Sequence, residues 1–359
     1  MLKPSDLRGV YAIIPTPAKD GADRWEAVDT VDLAETERVV NRLIGDGVHG
    51  LIVLGTTGEC ATLTGQEYEA FVDCVLATVK RRIPAFIGTT ALGTHEVVRR
   101  TRFAAERGTD GILLGLPMWQ PLTVDMAVEY YRSISEAFPR LALMVYGNGR
   151  AFRFSFPPEF WGRVVDAAPT LMAAKYSRPK ALLESLAAAK GRVHFLPNDG
   201  GVSKFAELSP ATTTACWSTA ASMGPEPVLA QMRALLANDT EAMRRIAADL
   251  AWTREPIAEL TSDPDLFATY NIQMEKIRIE TAGYCKAGPI RPPYNVMPES
   301  YAECARVLRG MRARKRAALA PALREVCERF RTMSIRDVIS TAPPRCKDQR
   351  ARPRLGGPK

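Results

Sequence analysis

A lysine closes a short apolar segment near the middle of the chain. The sequence LMAA at residues 171–174 is typical of a buried strand, and Lys175 follows it directly. Burying an ammonium group without a partner costs several kcal/mol, so such a position favours the neutral amine. A neutral amine is a nucleophile, which makes Lys175 a candidate for covalent chemistry on a carbonyl. The alternative is a strand-end lysine whose ammonium group extends into solvent.

The stretch GTTGE, residues 55–59, is a candidate anion-binding loop. The glycines on either side of Thr56 and Thr57 let the backbone approach a ligand closely, while hydroxyl and N–H groups converge on it. A loop of this kind, Gly58 included, suits a carboxylate or phosphate oxygen. An ordinary turn into a helix capped by threonine would explain the same residues.

Tyr146 ends the apolar segment that precedes the one closed by Lys175. A phenol can donate and accept a proton, and here it would lie near both the lysine and the threonine loop. A neutral lysine, a phenol and a carboxylate-binding loop together describe Schiff-base chemistry on a 2-keto acid.

The elements that would position these residues alternate regularly along the chain. From Gly9 to Asn238, eight apolar or β-branched segments are each followed by an amphipathic helical segment. This order predicts a closed (β/α)8 TIM barrel, in which active groups lie at the carboxyl ends of the strands. The rule brings Lys175, Tyr146 and the GTTGE loop to one rim.

The rest of the chain differs in pattern. We predict the barrel over residues 1–237, a C-terminal helical extension over 238–332 with helical segments at 239–260, 264–284 and 297–319, and a basic, disordered tail over 333–359. Residues 311–359 carry 14 Lys and Arg against 4 Asp and Glu, whereas the remainder carries 34 against 36, so the net charge of +8 belongs to the C-terminal end. The tail either binds an anionic partner or is a dispensable charged segment, and its lack of interleaved aromatics favours the second.

Composition excludes several classes of protein. No apolar run approaches the roughly 18 residues that span a bilayer, and the N-terminus lacks the order of a signal peptide, so we expect a cytoplasmic protein. Seven scattered cysteines and three histidines do not predict a metal site. The glycine spacing fits neither a P-loop nor a dinucleotide fingerprint, and we expect no cofactor, no nucleic-acid partner and no membrane partner.

The GTTGE loop, the Tyr146-x-Asn148 strand end and Lys175 resemble the dihydrodipicolinate synthase and N-acetylneuraminate lyase superfamily of pyruvate-dependent class I aldolases. The resemblance runs from about Gly9 to Arg316 and is closer to the hydratase-aldolases that cleave trans-o-hydroxybenzylidenepyruvate or trans-2'-carboxybenzalpyruvate. The segments that carry this closer likeness are GTTGECATLT (55–64), GTTAL (88–92), PMW (117–119), AKY (174–176), YNI and EK (within 270–276) and KAGPIRPPYN (286–295).

The resemblance implies a role for each matched residue. Lys175 forms an imine with the 2-keto carbon, Thr56 and Thr57 hold the adjacent carboxylate, and Tyr146 moves protons. The implied reaction hydrates an arylidene-pyruvate and then cleaves it to an aromatic aldehyde, salicylaldehyde or 2-carboxybenzaldehyde, and pyruvate, a step of naphthalene or phenanthrene degradation. The implied assembly is a homotetramer. Met118 and Trp119 stand where dihydrodipicolinate synthases have a tyrosine pair, so a role in lysine biosynthesis is not expected.

Four further residues lie where an aryl substrate would be held. Trp119 and Trp217, at the ends of strands four and eight, offer ring faces for the aryl group, although one of them is alternatively barrel or subunit packing. Asn148 and Asn271 offer amides for positioning the attacking water, with structural capping as the alternative.

The ortho substituent of the substrate stays open. Arg150 lies four residues after Tyr146 and would pair with a carboxylate, whereas a solvent-facing arginine is the alternative. Two other functions stay open as well. One is a pyruvate lyase or synthase of the same superfamily acting on a sugar acid, which would have polar groups in place of the two tryptophans. The other is a non-catalytic barrel that binds an anion.

Overall fold

The computed structural model describes residues 2–308, and its centre is one parallel sheet of eight strands. Continuous apolar segments form these strands because both faces of a parallel sheet are covered. The eight-stranded barrel predicted from the sequence is confirmed. The strands are β1 Gly9–Ile13, β2 Gly50–Val53, β3 Ala85–Gly88, β4 Gly111–Leu114, β5 Ala142–Tyr146, β6 Leu171–Lys175, β7 His194–Leu196 and β8 Ala215–Ser218.

The strands follow one another around the barrel in chain order, and β8 returns to pair with β1. The last seam, between β7 and β8, is held by a bridge between Asn198 and Trp217, where the N–H of Trp217 donates to the carbonyl of Pro197 at 2.9 Å. The register pairs Tyr146 with Lys175, which fixes both residues at the same edge of the sheet.

Helices cover the outside of the barrel and continue after its last strand. Capping by side chains fixes several of their starts, as at Thr64, which accepts from the N–H of Glu67. The helices are α1 Leu33–Gly45, α2 Gly65–Val79, α3 Thr94–Glu106, α4 Val124–Ala137, α5 Gly149–Phe152, α6 Pro158–Ala167, α7 Leu182–Ala188, α8 Val202–Leu208, α9 Glu226–Leu236, α10 Thr240–Trp252, α11 Ala258–Ser262, α12 Pro264–Ala282 and α13 Glu299–Arg306.

The C-terminal helices differ from the sequence pattern at two points. Helix α13 ends at Arg306, although the sequence predicts a helical segment over 297–319, and Val307 after it has an extended backbone. The segment 239–260 is divided into α10, a 3-10 turn at Glu255–Ile257 and α11. Pro256 in that turn has no N–H to donate and would clash with the preceding helical turn, so α10 cannot continue through it. Helix α12 is capped by Gly283, which adopts the left-handed conformation typical of a helix C-terminus.

None of the helices within residues 2–308 is long and apolar enough to cross a bilayer. The predicted boundary at residue 237 between barrel and extension stays a prediction. The last part of the predicted extension, from residue 309, and the predicted tail at 333–359 lie outside the described residues.

Candidate active site

Lys175 lies at the carboxyl end of β6, where 9% of its surface is exposed. Its Nζ is 3.8 Å from the ring centroid of Trp217 and 4.4 Å from that of Tyr146. Within residues 2–308 it forms no ion pair with a carboxylate. Each ring face stabilises a cation by about 0.5 to 2 kcal/mol, and the positive charge is carried by an ammonium group or by a protonated imine.

The loop after β2 joins Tyr146 directly. The hydroxyl of Tyr146 lies 2.7 Å from Thr56 Oγ1 and accepts from the Thr56 N–H at 3.4 Å. No hydrogen bond among the described residues uses the N–H of Thr57 or Gly58. Two backbone donors are therefore available beside a phenol, which is the composition an anion-binding loop requires.

Backbone geometry fixes the shape of this loop. Leu54 and Glu59, which bracket it, have left-handed φ angles of 58° and 50°. A Cβ on Gly58 would lie 2.8 Å from the backbone nitrogen of Leu54, and one on Gly88 of β3 would collide with the Leu54 carbonyl. Glycine at both positions therefore lets three backbone segments meet, and the surrounding structure holds two strained residues in place.

Glu275 of α12 enters the site from outside the barrel. Thr57 Oγ1 donates to Glu275 Oε2 at 2.5 Å. Burial raises the pKa of Glu275, against the opposing effects of the Thr57 hydroxyl, the Lys175 charge and the Thr219 hydroxyl. In the sequence, Glu275 stands out only as part of the EK pair that carries the family resemblance, with no predicted role of its own. Its position four residues after Asn271 places both on one helix face, which is the signal that would have found it.

A buried cluster of charges connects α12 to the GTTGE loop. The carboxylate of Glu59 has no exposed surface and accepts from Lys276 at 2.6 Å and from Arg291 at 2.8 Å. Arg291 also donates to the carbonyls of Thr16, Pro17 and Thr30. The cations are only 1% and 3% exposed, so the cluster is fully removed from water.

The two predicted asparagines lie in different surroundings. Asn148 caps the short helix α5 by accepting from the N–H of Ala151, as its structural alternative required, while its Nδ2 lies 3.5 Å from the Tyr146 hydroxyl. Asn271 of α12 has a buried Oδ1 with no hydrogen-bond partner among the described residues. A buried acceptor without a partner costs about 1 to 3 kcal/mol. Asn271 Oδ1 is therefore a candidate to accept a hydrogen bond from a ligand or from water.

The structure brings Trp217 to the lysine but leaves Trp119 apart. Trp217 is partly buried at the end of β8 and covers Lys175. Trp119 is 78% exposed and makes no ring contact within residues 2–308. Its backbone carbonyl and that of Met118 accept from Arg153, which fixes the loop and not the ring.

Arg150 is exposed at the start of α5, and its guanidinium lies 4.3 Å above the ring of Phe267 on α12. Loss of solvent around it lowers the pKa of Arg150.

Asp199 lies after β7 and is the one acid of the segment PNDGG, residues 197–201. It accepts hydrogen bonds from Ser218 and from Arg254, both at 2.6 Å. Arg254 compensates the charge of Asp199, so this acid does not exclude an anionic substituent.

No group of three or more metal-ligating side chains occurs among residues 2–308. The fold and this site together define a (β/α)8 protein with a buried lysine at the mouth of its sixth strand. The chain matches the profile of the Dihydrodipicolinate synthetase family over residues 24–200.

Individual relatives extend the match over most of the chain. The trans-O-hydroxybenzylidenepyruvate hydratase-aldolase of Sphingobium xenophagum is 41% identical over 326 residues, 89% of this chain and 98% of that protein. The trans-2'-carboxybenzalpyruvate hydratase-aldolase of Nocardioides sp. (strain KP7) is 37% identical, over 88% and 97%. The solved structure of "PhdJ bound to substrate intermediate" is 36% identical, with a TM-score of 0.82 over 85% of this chain and 95% of that one. The chain belongs to the dihydrodipicolinate synthetase family.

Proposed function

We propose that this chain is a Schiff-base-forming hydratase-aldolase that cleaves an arylidene-pyruvate to an aromatic aldehyde and pyruvate. The chain is an aldolase, that is, an enzyme of the carbon–carbon lyase class, and its named relatives support this assignment. The observation that carries the proposal is the position of Lys175, buried between the rings of Trp217 and Tyr146 beside a loop with free N–H donors.

The first step is imine formation. The neutral amine of Lys175 adds to the 2-keto carbon, and loss of water gives a protonated imine whose charge lies between two ring faces. The N–H groups of Thr57 and Gly58 and the threonine hydroxyls hold the neighbouring carboxylate. Tyr146, paired with Thr56 at 2.7 Å, carries the protons that the oxygen gains as it leaves.

Hydration follows because the imine draws electrons from the conjugated double bond. Water adds to the carbon that bears the aryl group, the electron pair moves to the imine nitrogen, and the carbon next to the imine is then protonated. Asn271 offers its unpartnered Oδ1 to the attacking water, and Asn148 offers Nδ2 near the Tyr146 hydroxyl.

Cleavage uses the same electron sink a second time, because the electrons of the broken bond again move toward the imine nitrogen. Loss of the proton from the new hydroxyl breaks the carbon–carbon bond, releases the aldehyde and leaves an enamine on Lys175. Protonation of the enamine and hydrolysis of the imine then release pyruvate. Trp217 supplies a ring face for the aryl group, worth roughly 0.5 to 1.5 kcal/mol beyond area burial.

The ortho substituent of the substrate is either a hydroxyl or a carboxylate, and Arg150 is the residue that would recognise a carboxylate.

We also propose that the chain acts in the cytoplasm as a homo-oligomer, which the family resemblance implies is a tetramer. Trp119 is 78% exposed near the barrel mouth, and the enrichment of aromatic residues at subunit interfaces supports an interface there.

Reduction with borohydride in the presence of pyruvate tests the proposal. Intact mass should show one covalent adduct per chain, and peptide mapping should place it on Lys175. Lys175→Arg should give no adduct, whereas Lys180→Arg, a change on the loop that follows β6, should react like the wild type. A wild-type protein without adduct would be an anion-binding barrel, and one that forms the adduct but turns over only sugar acids would be the rival lyase.

A further inference from the structure

An acidic side chain of α12 contacts the anion-binding loop at Thr57. Thr57 Oγ1 donates a hydrogen bond to Glu275 Oε2 at 2.5 Å, and Thr57 itself is only 6% exposed. Under the proposed function, the same hydroxyl is the one that should face the carboxylate of a 2-keto acid. Thr57 thus lies between two carboxylates, one from the protein and one from the ligand.

A hydroxyl group carries a single proton to donate, and an ionised carboxylate can only accept. If Glu275 is ionised, it accepts the hydrogen bond from Thr57. The Thr57 hydroxyl then presents only lone pairs to the incoming carboxylate. If Glu275 is protonated, its own O–H donates to Thr57 Oγ1, and the Thr57 proton is free for the ligand. Only the second arrangement satisfies all three groups.

We propose that Glu275 is protonated when a 2-keto acid is bound, so that it donates to Thr57 and turns the Thr57 hydroxyl toward the ligand carboxylate. This inference rests on the proposed function. The proton comes from solvent as the ligand enters and returns when the product leaves, and no other bond is made or broken. Glu275 is in this sense a positioning residue, because it acts on the ligand through Thr57.

Charges of both signs act on Glu275. Lys175 on β6 favours the ionised form, whereas Asp199 after β7, itself paired with Arg254, favours the protonated form. On α12 itself, Arg278 is buried and faces Glu275 as a further cation. Loss of solvation is the largest effect on Glu275 and raises its pKa, which supports the protonated form.

The consequence is a link between pH and affinity. At a pH above the pKa of Glu275, ligand binding must take up a proton, and the half-saturating concentration of pyruvate should rise by up to about tenfold per pH unit. Below that pKa, Glu275 is already protonated and binding takes up no proton at this group.

Calorimetric titration with pyruvate tests the link. Binding heats in two buffers of different ionisation enthalpy give the protons taken up per site, from about pH 5 to 9. Wild type should take up as much as one proton more than Glu275→Gln, whose amide donates to Thr57 at every pH. Both proteins keep Lys175 and its imine chemistry, and the variant Thr57→Val, which also keeps Glu275, controls for the effect of the Glu275 charge on Lys175. Glu280→Gln, a change farther along α12, should match wild type.

Thr57→Val provides the second, independent variant, since it removes the hydroxyl that passes the effect to the ligand. Proton uptake by Thr57→Val should equal that of Glu275→Gln, and adding Glu275→Gln to Thr57→Val should change nothing further. Equal proton uptake by wild type and Glu275→Gln, or by wild type and Thr57→Val, would overturn the inference. Borohydride trapping on the same samples separates the two proposals, because an adduct without proton linkage leaves the Schiff-base function intact.

Discussion

Lys276 Nζ lies 2.6 Å from Glu59 Oε2, although the two residues are 217 positions apart in the chain. Arg291 donates to the same oxygen at 2.8 Å. Glu59 ends the loop that carries Thr56 and Thr57, and Lys276 directly follows Glu275 on α12. This single carboxylate therefore sets the distance between the anion-binding loop and the helix that delivers Glu275.

Replacing Glu59 by Gln should strongly destabilise the protein. It leaves the two buried cations without a counter-ion, and breaking a buried charge pair in this way costs about 3 to 5 kcal/mol. The free energy of unfolding, measured by urea denaturation, should fall by that amount. Glu129→Gln, which removes an exposed partner of Arg132, is the matched control and should change stability little. Equal stability of both variants would show that the cluster does not hold the two segments together.

Tyr146→Phe should reduce kcat by about 10² to 10⁴-fold, because it removes the phenol that carries protons. Steady-state turnover of an arylidene-pyruvate measures the effect. Borohydride should still trap pyruvate on Lys175, but more slowly, because Tyr146 also carries protons during imine formation. Tyr130→Phe is the control, since the Tyr130 hydroxyl donates to the Gly115 carbonyl at 3.2 Å and makes no contact with Lys175 or Thr56. A kcat for Tyr146→Phe within threefold or so of wild type would exclude Tyr146 from proton transfer.

Arg150→Gln should separate the two candidate substrates. If the guanidinium above Phe267 pairs with an ortho carboxylate, kcat/KM for carboxybenzalpyruvate should fall by roughly ten- to a hundredfold, as the loss of a charge-assisted hydrogen bond predicts. Turnover of hydroxybenzylidenepyruvate should stay near the wild-type value. An equal loss of kcat/KM for both compounds would show that Arg150 only supports the structure of its loop. No loss for either compound would show that Arg150 faces solvent and does not pair with the substrate.

His194 on β7 should make the fold sensitive to acid. Burial lowers its pKa from 6.5 to about 4, and its Nε2 is buried without a partner among the described residues. As pH falls from 6.5 toward 4, the unfolded chain binds a proton that the folded protein does not bind, so stability decreases through this window. Between about pH 7 and pH 5 this one group should lower the free energy of unfolding by about 2 kcal/mol.

Urea unfolding of His194→Gln and of His95→Gln at the two pH values isolates this contribution. The first variant should lose less stability on acidification than wild type by about 2 kcal/mol. The second changes an exposed histidine and should follow wild type. An identical pH dependence in all three proteins would refute the assignment to His194.

The barrel could be predicted because each of its eight strands is a continuous apolar segment with a helix behind it. The ends of those strands then located Lys175, Tyr146 and the GTTGE loop at one rim, where the structure has them. The break between α10 and α11 could have been predicted too, since Pro256 stands inside the helical segment.

Glu275 could not be placed by the same reasoning, because its position depends on how α12 packs on the barrel. That packing is set by Lys276 and Arg291, whose partner Glu59 is more than 200 residues earlier. Trp119 illustrates the opposite difficulty. A strand end predicts the rim on which a residue lies but not the direction of its side chain, and within one chain this ring faces outward.

The left-handed conformations of Leu54 and Glu59 also bear on the thermodynamics of ligand binding. Since folding alone imposes them, the conformational entropy of ordering the loop is lost once, before any keto acid arrives. Association should then leave the loop unchanged and carry little unfavourable entropy from it. Preorganisation of this kind lets a small, weakly apolar acid such as pyruvate bind through a handful of contacts.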